Sequence, residues 1–234
     1  MDFPYQHGRN MGYHIKQSYL RRYGLDSGEQ FEEKFSHFVP AIPEIGRGHS
    51  LLKYIPPHDN EGYDWLEKQN YFERNPDFFT MTEGGERVPN KQLCFSNPTL
   101  PAELSENIMK HLALYNGDER KLILTVGAND TGGPFCTCSG CRKLEEEYQT
   151  PGGPIFDYLI ELCRKLQKEY PKAMIRTLAY RHSQTQEPPE LSEGQKLPDN
   201  LIVDFAPIDD CYFADWWTHR DPEIQATYRD LLEW

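Results

Sequence analysis

The chain has 234 residues, with 25 Lys and Arg against 37 Asp and Glu and a formal charge of -12. At 38% hydrophobic and 13% aromatic it can bury a sizeable core, which excludes global disorder. The acidity argues against a nucleic acid or an anionic membrane as partner, since either calls for a basic patch.

No run approaches the roughly 18 apolar residues of a membrane helix. The N-terminus, MDFPYQHGRNMGYHIKQ, lacks the apolar stretch of a secretory signal. Taken literally, the chain stays in the cytoplasm; as a fragment of a longer protein it loses that implication.

Residues 1–48 read as a mixed helical and loop segment, with short helices over 13–23 and 29–38 and a Pro- and Gly-containing loop from Pro40 to Gly48. His49–Ile55 (HSLLKYI) reads as a short strand stopped by Pro56-Pro57. The aromatic, charged run DWLEKQNYFERNPDFF predicts a short helix. Lys91–Phe95 (KQLCF) predicts a second strand, turned by Ser96-Asn97-Pro98 into a helix over 102–115.

Leu122 to Cys141, LILTVGANDTGGPFCTCSGC, organises the rest. Its apolar, β-branched start has no polar alternation and reads as a buried strand. Gly127-Ala128 end that strand, Asn129-Asp130 place an amide and a carboxylate at its carboxyl end, and Gly132-Gly133-Pro134 breaks the backbone. Parallel α/β proteins build their sites at such tips. The plain alternative is an Asx-turn, with Asp130 capping the glycine turn.

Further on, Ile155, Phe156, Leu159, Leu162, Cys163 and Leu166 recur at helical spacing, with Cys163 as core. Ala173–Tyr180 (AMIRTLAY) and Leu201–Ile208 (LIVDFAPI) predict strands, the latter ending in Asp209-Asp210, and residues 223–234 a terminal helix. Alternating strands and helices imply a parallel α/β fold of about five strands. Right-handed crossovers then collect Asn97, Asn129, Asp130, Tyr180, Arg181, His182, Asp209 and Asp210 on one face.

Cys136, Cys138 and Cys141 stand at knuckle spacing for a structural zinc ion, with Cys94 or Cys211 as fourth ligand. Disulfides to a distant partner, or reduced thiols packed as small hydrophobes, are the other readings. Trp216-Trp217, beside Tyr212 and Phe213, form a sugar-stacking platform or divide into one buried and one exposed ring.

The run QLCFSNP, a strand ending NDTGG before CxCxxC, TLAY, and an apolar strand ending Pro-Ile-acid together resemble glycoside hydrolase family 163, from about residue 49 to the C-terminus. Those are bacterial endo-β-N-acetylglucosaminidases. The resemblance implies a (β/α)8 barrel over 49–234, with the chain stopping before the barrel is complete, and the chitobiose core of N-glycans as substrate. It also implies a secreted or periplasmic location for a fragment of such a protein. Two positions differ from the family pattern: Ala128 stands in place of Gln, and Asp209 in place of Glu.

Cleavage beside a 2-acetamido group can use the substrate's own carbonyl as nucleophile, so that the protein supplies one group to orient the acetamide and one acid. On that basis Asn129 holds the acetamide and Asp130 protonates, or Asp130 orients and Asp209 or Asp210 protonates. Asn97, Tyr180, Asp210 and Trp216 are the expected glycan contacts. No cofactor is needed for cleavage, and any zinc is structural. An inactive carbohydrate-binding remnant of the barrel and a zinc-knuckle interaction module are the readings from other classes.

Overall fold

The structure, a computed structural model, describes residues 48–59, 63–115, 122–208 and 218–234. All of these fall in one compact unit, Ile42–Trp234. The helices expected over 13–23 and 29–38 lie outside the described residues, as do Asp209, Asp210, Cys211, Tyr212, Phe213, Trp216 and Trp217.

The framework is mixed α/β, with a small parallel sheet of three strands: β1 (Leu122–Thr125), β2 (Ala173–Ala179) and β3 (Leu201–Phe205), in the order β1-β2-β3. Leu122 pairs with Ala173 and Thr125 with Arg176, while Ile175 pairs with Leu201 and Ala179 with Phe205. Central β2 alternates buried and half-buried residues along its length, so one face is fully covered. Arg176 reaches across to Asp204 at 3.3 Å on the less covered face.

Two of the expected strands do not form. The run HSLLKYI is a single helical turn, α1 (Leu51–Tyr54). Leu51, Tyr54 and Ile55 are all fully buried, and their spacing of three and four residues places them on one side of a helix. Lys91–Phe95 joins no sheet; its one ladder contact is an isolated antiparallel bridge from Leu93 to Phe79. The aromatic, charged run folds as α2 (Tyr71–Arg74), capped by the Asn70 side chain accepting from the Glu73 N–H at 3.1 Å, followed by one 3-10 turn, Pro76–Phe78.

Helix α3 (Leu100–Ala113) buries Leu104, Ile108 and Leu112, four residues apart. Helix α4 (Ser139–Tyr148) was not legible in the sequence, because its largely charged run RKLEEEY follows directly on the cysteines and buries no residue fully. Helix α5 (Gly153–Glu169) carries the apolar stripe expected of it and packs on α4 and β2. Each fully buried Leu or Phe on that stripe contributes roughly 1.5–3 kcal/mol. Terminal α6 (Pro222–Glu233) is tied to the loop after β2: Gln186 Nε2 donates to Asp230 at 2.9 Å, and the Trp234 indole donates to the Gln186 carbonyl at 2.7 Å. Among the described residues no helix is long and apolar enough to cross a membrane.

Gly127 shows why β1 ends where it does. A Cβ there would lie 2.0 Å from the Gly48 carbonyl oxygen, and Ser50 closes the same junction by donating its N–H to the Gly127 carbonyl at 3.2 Å. No side chain fits between these backbones.

Candidate functional site: a carboxylate at the strand tips and a cysteine cluster behind it

Asp130 lies just past the tip of β1 and is exposed. The Tyr180 hydroxyl, from the end of β2, donates to Asp130 Oδ1 at 3.0 Å, and Arg181 Nη2 reaches the same oxygen at 3.3 Å. The Arg181 guanidinium also lies over the Tyr180 ring at 5.2 Å, and the His49 ring meets Tyr180 edge-on at 4.9 Å. His49 is fixed in turn by a 2.7 Å contact from Nδ1 to the Ala128 carbonyl.

The Tyr180 hydrogen bond, and after it Arg181, hold the Asp130 carboxyl below the ordinary carboxylate range. Asp130 is therefore an anion at neutral pH, suited to accept and orient. Burial, and then the carboxylate itself, push the Tyr180 phenol up. Space is open around Gly132 and Gly133, where an added Cβ would touch nothing within 4 Å.

Asn129 faces the other way and is buried. Its carboxamide donates to the Lys91 carbonyl at 2.7 Å and accepts from the Leu52 N–H at 3.4 Å. Its backbone is gripped by Gln92, whose Oε1 accepts the Asn129 N–H at 2.9 Å while Nε2 donates to the Asn129 carbonyl at 2.8 Å. Asn97 lies two residues before Thr99, the N-cap of α3, and its Oδ1 accepts from Thr99 N–H at 2.9 Å and Leu100 N–H at 3.1 Å. The structure thus brings Asp130 and Tyr180 together, and engages Asn129 and Asn97 with backbone. Asp209, Asp210 and Trp216 lie outside the described residues. Sequence reasoning placed Arg181 on this face without giving it a role, and assigned His49 none.

Behind this tip, Cys94, Cys136, Cys138 and Cys141 converge. Their sulfurs all lie within 4.8 Å of one another, close enough to bind a metal ion such as zinc. Cys94 Sγ is 3.6 Å from Cys138 Sγ and 3.8 Å from Cys141 Sγ. Of the two fourth ligands the sequence offered, Cys94 joins the three among the described residues, and Cys211 lies outside them. The Met81 N–H donates to Cys136 Sγ at 3.2 Å, Arg87 Nη1 approaches the same sulfur at 3.5 Å, and the Ser96 hydroxyl lies 3.2–3.5 Å from Cys138, Cys141 and Cys94.

Gly140 permits the Ser96 approach, since a Cβ there would lie 2.7 Å from the Ser96 side chain. Hydrogen bonds from Cys136 and Cys141 hold the Cys94 thiol below its ordinary range. Cys163 is fully buried elsewhere, on the α5 stripe, and burial pushes its thiol up to about 12.

A separate concavity of about 390 Å³ is lined by Tyr63, Asp64, Trp65, Leu66, Glu67, Gln69 and Lys110. It shares no residue with the strand tips or the cysteines.

Fold and site together define an α/β protein with an exposed carboxylate at parallel strand tips and a buried tetracysteine cluster behind them. The chain belongs to the family described as Domain of unknown function (DUF4838), whose model matches residues 29–234. No curated protein and no solved structure matches the chain.

Proposed function

We propose that this chain is a glycoside hydrolase of the endo-β-N-acetylglucosaminidase type, related to family 163 and acting on the chitobiose core of N-glycans. The observation that carries the reading is the Asp130 carboxylate, exposed at the tip of β1 and kept anionic by Tyr180 and Arg181. The motif order QLCFSNP, NDTGG, CxCxxC, TLAY and Pro-Ile-acid supports the substrate class. The three parallel strands are compatible with part of a (β/α)8 barrel, in which every strand would present its carboxyl end to one glycan site.

Because Asp130 is held ionised, it orients the acetamide N–H and balances the positive charge that develops as the acetamide oxygen attacks the anomeric carbon. The acid that protonates the departing oxygen is then Asp209 or Asp210, which follow β3 in the chain. Asn129 positions Asp130 from within and does not touch the sugar. The cysteine cluster supports structure and takes no part in cleavage.

Asp130→Asn tests the reading. In the intact protein it should lower hydrolysis of a chitobiose-core glycan by at least about 10²-fold, the lower end for losing an acid–base or charge-stabilising group. The melting temperature should barely move, since the residue is exposed and the amide is isosteric. A variant that keeps its turnover, or wild-type protein that leaves the glycan intact, would overturn it.

A further inference from the structure

We propose that Cys94, Cys136, Cys138 and Cys141 hold one Zn2+ as a closed tetrathiolate centre, and that this ion clamps the loop presenting Asp130. Four sulfurs about 2.3 Å from a tetrahedral ion lie about 3.8 Å from one another. The separations of 3.6 Å from Cys94 to Cys138 and 3.8 Å to Cys141 match that figure. They are far from the roughly 2.05 Å of a disulfide, and all four cysteines are free.

The surroundings fit the charge such a centre carries. When Zn2+ displaces four thiol protons to solvent, the complex is left with two net negative charges in a largely buried place. The Met81 N–H and the Arg87 guanidinium are directed at Cys136 Sγ, the Ser96 hydroxyl lies among the other three sulfurs, and Arg87, which also pairs with Asp77 at 3.3 Å, brings positive charge. A chance packing of small hydrophobes has no need of a hydroxyl set among three thiols and an arginine beside a fourth. Four protein ligands also leave no open position for substrate or water, so the centre is structural. A sulfur set of this kind takes zinc or iron; a clamp requires no redox change, and the assignment is to zinc.

The clamp runs through Gln92, two residues before Cys94. Thr80 receives the Gln92 N–H at 2.9 Å and donates to the Phe135 carbonyl at 2.6 Å, next to Cys136. Gln92 then holds both the N–H and the carbonyl of Asn129, and reaches the Thr131 hydroxyl at 3.0 Å. Asp130 therefore sits between two residues fixed from the metal side. Residues 129–141 are tied to residues 80–94 at one end by the ion and at the other by this ladder.

The test needs no glycan. The purified chain should contain one zinc per molecule, and the cobalt-substituted protein should show sulfur-to-cobalt charge transfer with the intense red-visible bands of a tetrathiolate. Cys138→Ser, at the one half-exposed ligand, should retain less than about a tenth of the wild-type zinc after dialysis against a mild chelator, whereas Cys163→Ala should keep it all. Removing zinc from the wild type should speed hydrogen exchange at the Asn129, Asp130 and Thr131 amides by at least about tenfold. Wild-type protein without stoichiometric metal, a Cys138→Ser protein that keeps its zinc, or iron in zinc's place would overturn the centre. Unchanged exchange on zinc removal would overturn the clamp.

Discussion

Asp130 and Cys136 are near neighbours in the chain, yet their side chains live by opposite rules. Cys136 is fully buried among like atoms and is approached by an amide N–H and a guanidinium. Asp130 is exposed, with one phenol and one guanidinium on the same oxygen. The sulfurs of the cluster converge on one another, whereas among the described residues both contacts to Asp130 fall on one oxygen and the approach past Gly132-Gly133 is open. The contrast separates a group that holds the loop from a group the loop holds out.

The largest effect expected from breaking this pairing is metal removal. Losing a tetrathiolate zinc should cost several kcal/mol and lower the melting temperature by about 10 °C or more for a chain of this size, as read by calorimetry with and without chelator. Equal melting curves would place the cluster outside the stability of the fold.

Gln92→Ala sharpens the comparison, because it cuts the ladder between the two regions without touching a sulfur. Gln92 is fully buried, and both the Asn129 N–H and carbonyl would lose their partner. The expected loss is about 2–4 kcal/mol in denaturant unfolding, with zinc content retained. Loss of zinc alongside stability would show that the two regions fold as one unit.

A third measurement uses a group remote from both. Burial holds His111, on α3 and packed against Trp65, down to about 4. The unfolded chain takes up this proton near pH 6.5, so the stabilisation is intact above that value. It is lost progressively as pH falls toward about 4, by roughly 3 kcal/mol in all. His111→Phe should flatten urea midpoints across that window. An unchanged slope would assign the acid sensitivity elsewhere.

The smallest effect belongs to the tip. Tyr180→Phe removes the hydroxyl that chiefly depresses Asp130, and should cost less than about 1 kcal/mol because the carboxylate is exposed. A depressed carboxyl stabilises above its unfolded pKa, and that contribution disappears as pH falls through the folded value. The variant should therefore show a shallower acid limb, and Asp130 should titrate higher by NMR.

Much of this was legible in the sequence. The stripe of α5 and the apolar runs of the three strands follow directly from periodicity, because long or strongly patterned segments admit one reading. HSLLKYI was misread because a short apolar run fits a helical turn and a strand equally well, and only its buried neighbours decide. The knuckle spacing identified three cysteines, but the fourth lies far off in sequence, and only its expected place at a neighbouring strand end pointed to Cys94 or Cys211. The Asn129-Asp130 pair shows a further limit: of two adjacent polar residues, one faces inward and the other stays exposed. Which one does so is set by Gln92 and Lys91, which the local sequence cannot place.

The separation of Cys94 from Cys141 by 47 positions has a consequence for the order of events in folding. Cys136, Cys138 and Cys141 can meet an ion almost at once, since the loops between them are very short. Bringing in Cys94 means closing a long loop that contains α3 and β1, and the entropy of that closure must be met before the last sulfur bonds. An ion captured early by three thiols would wait, partly coordinated, until that loop has closed. Completion of the centre is then a late event in the assembly of the domain.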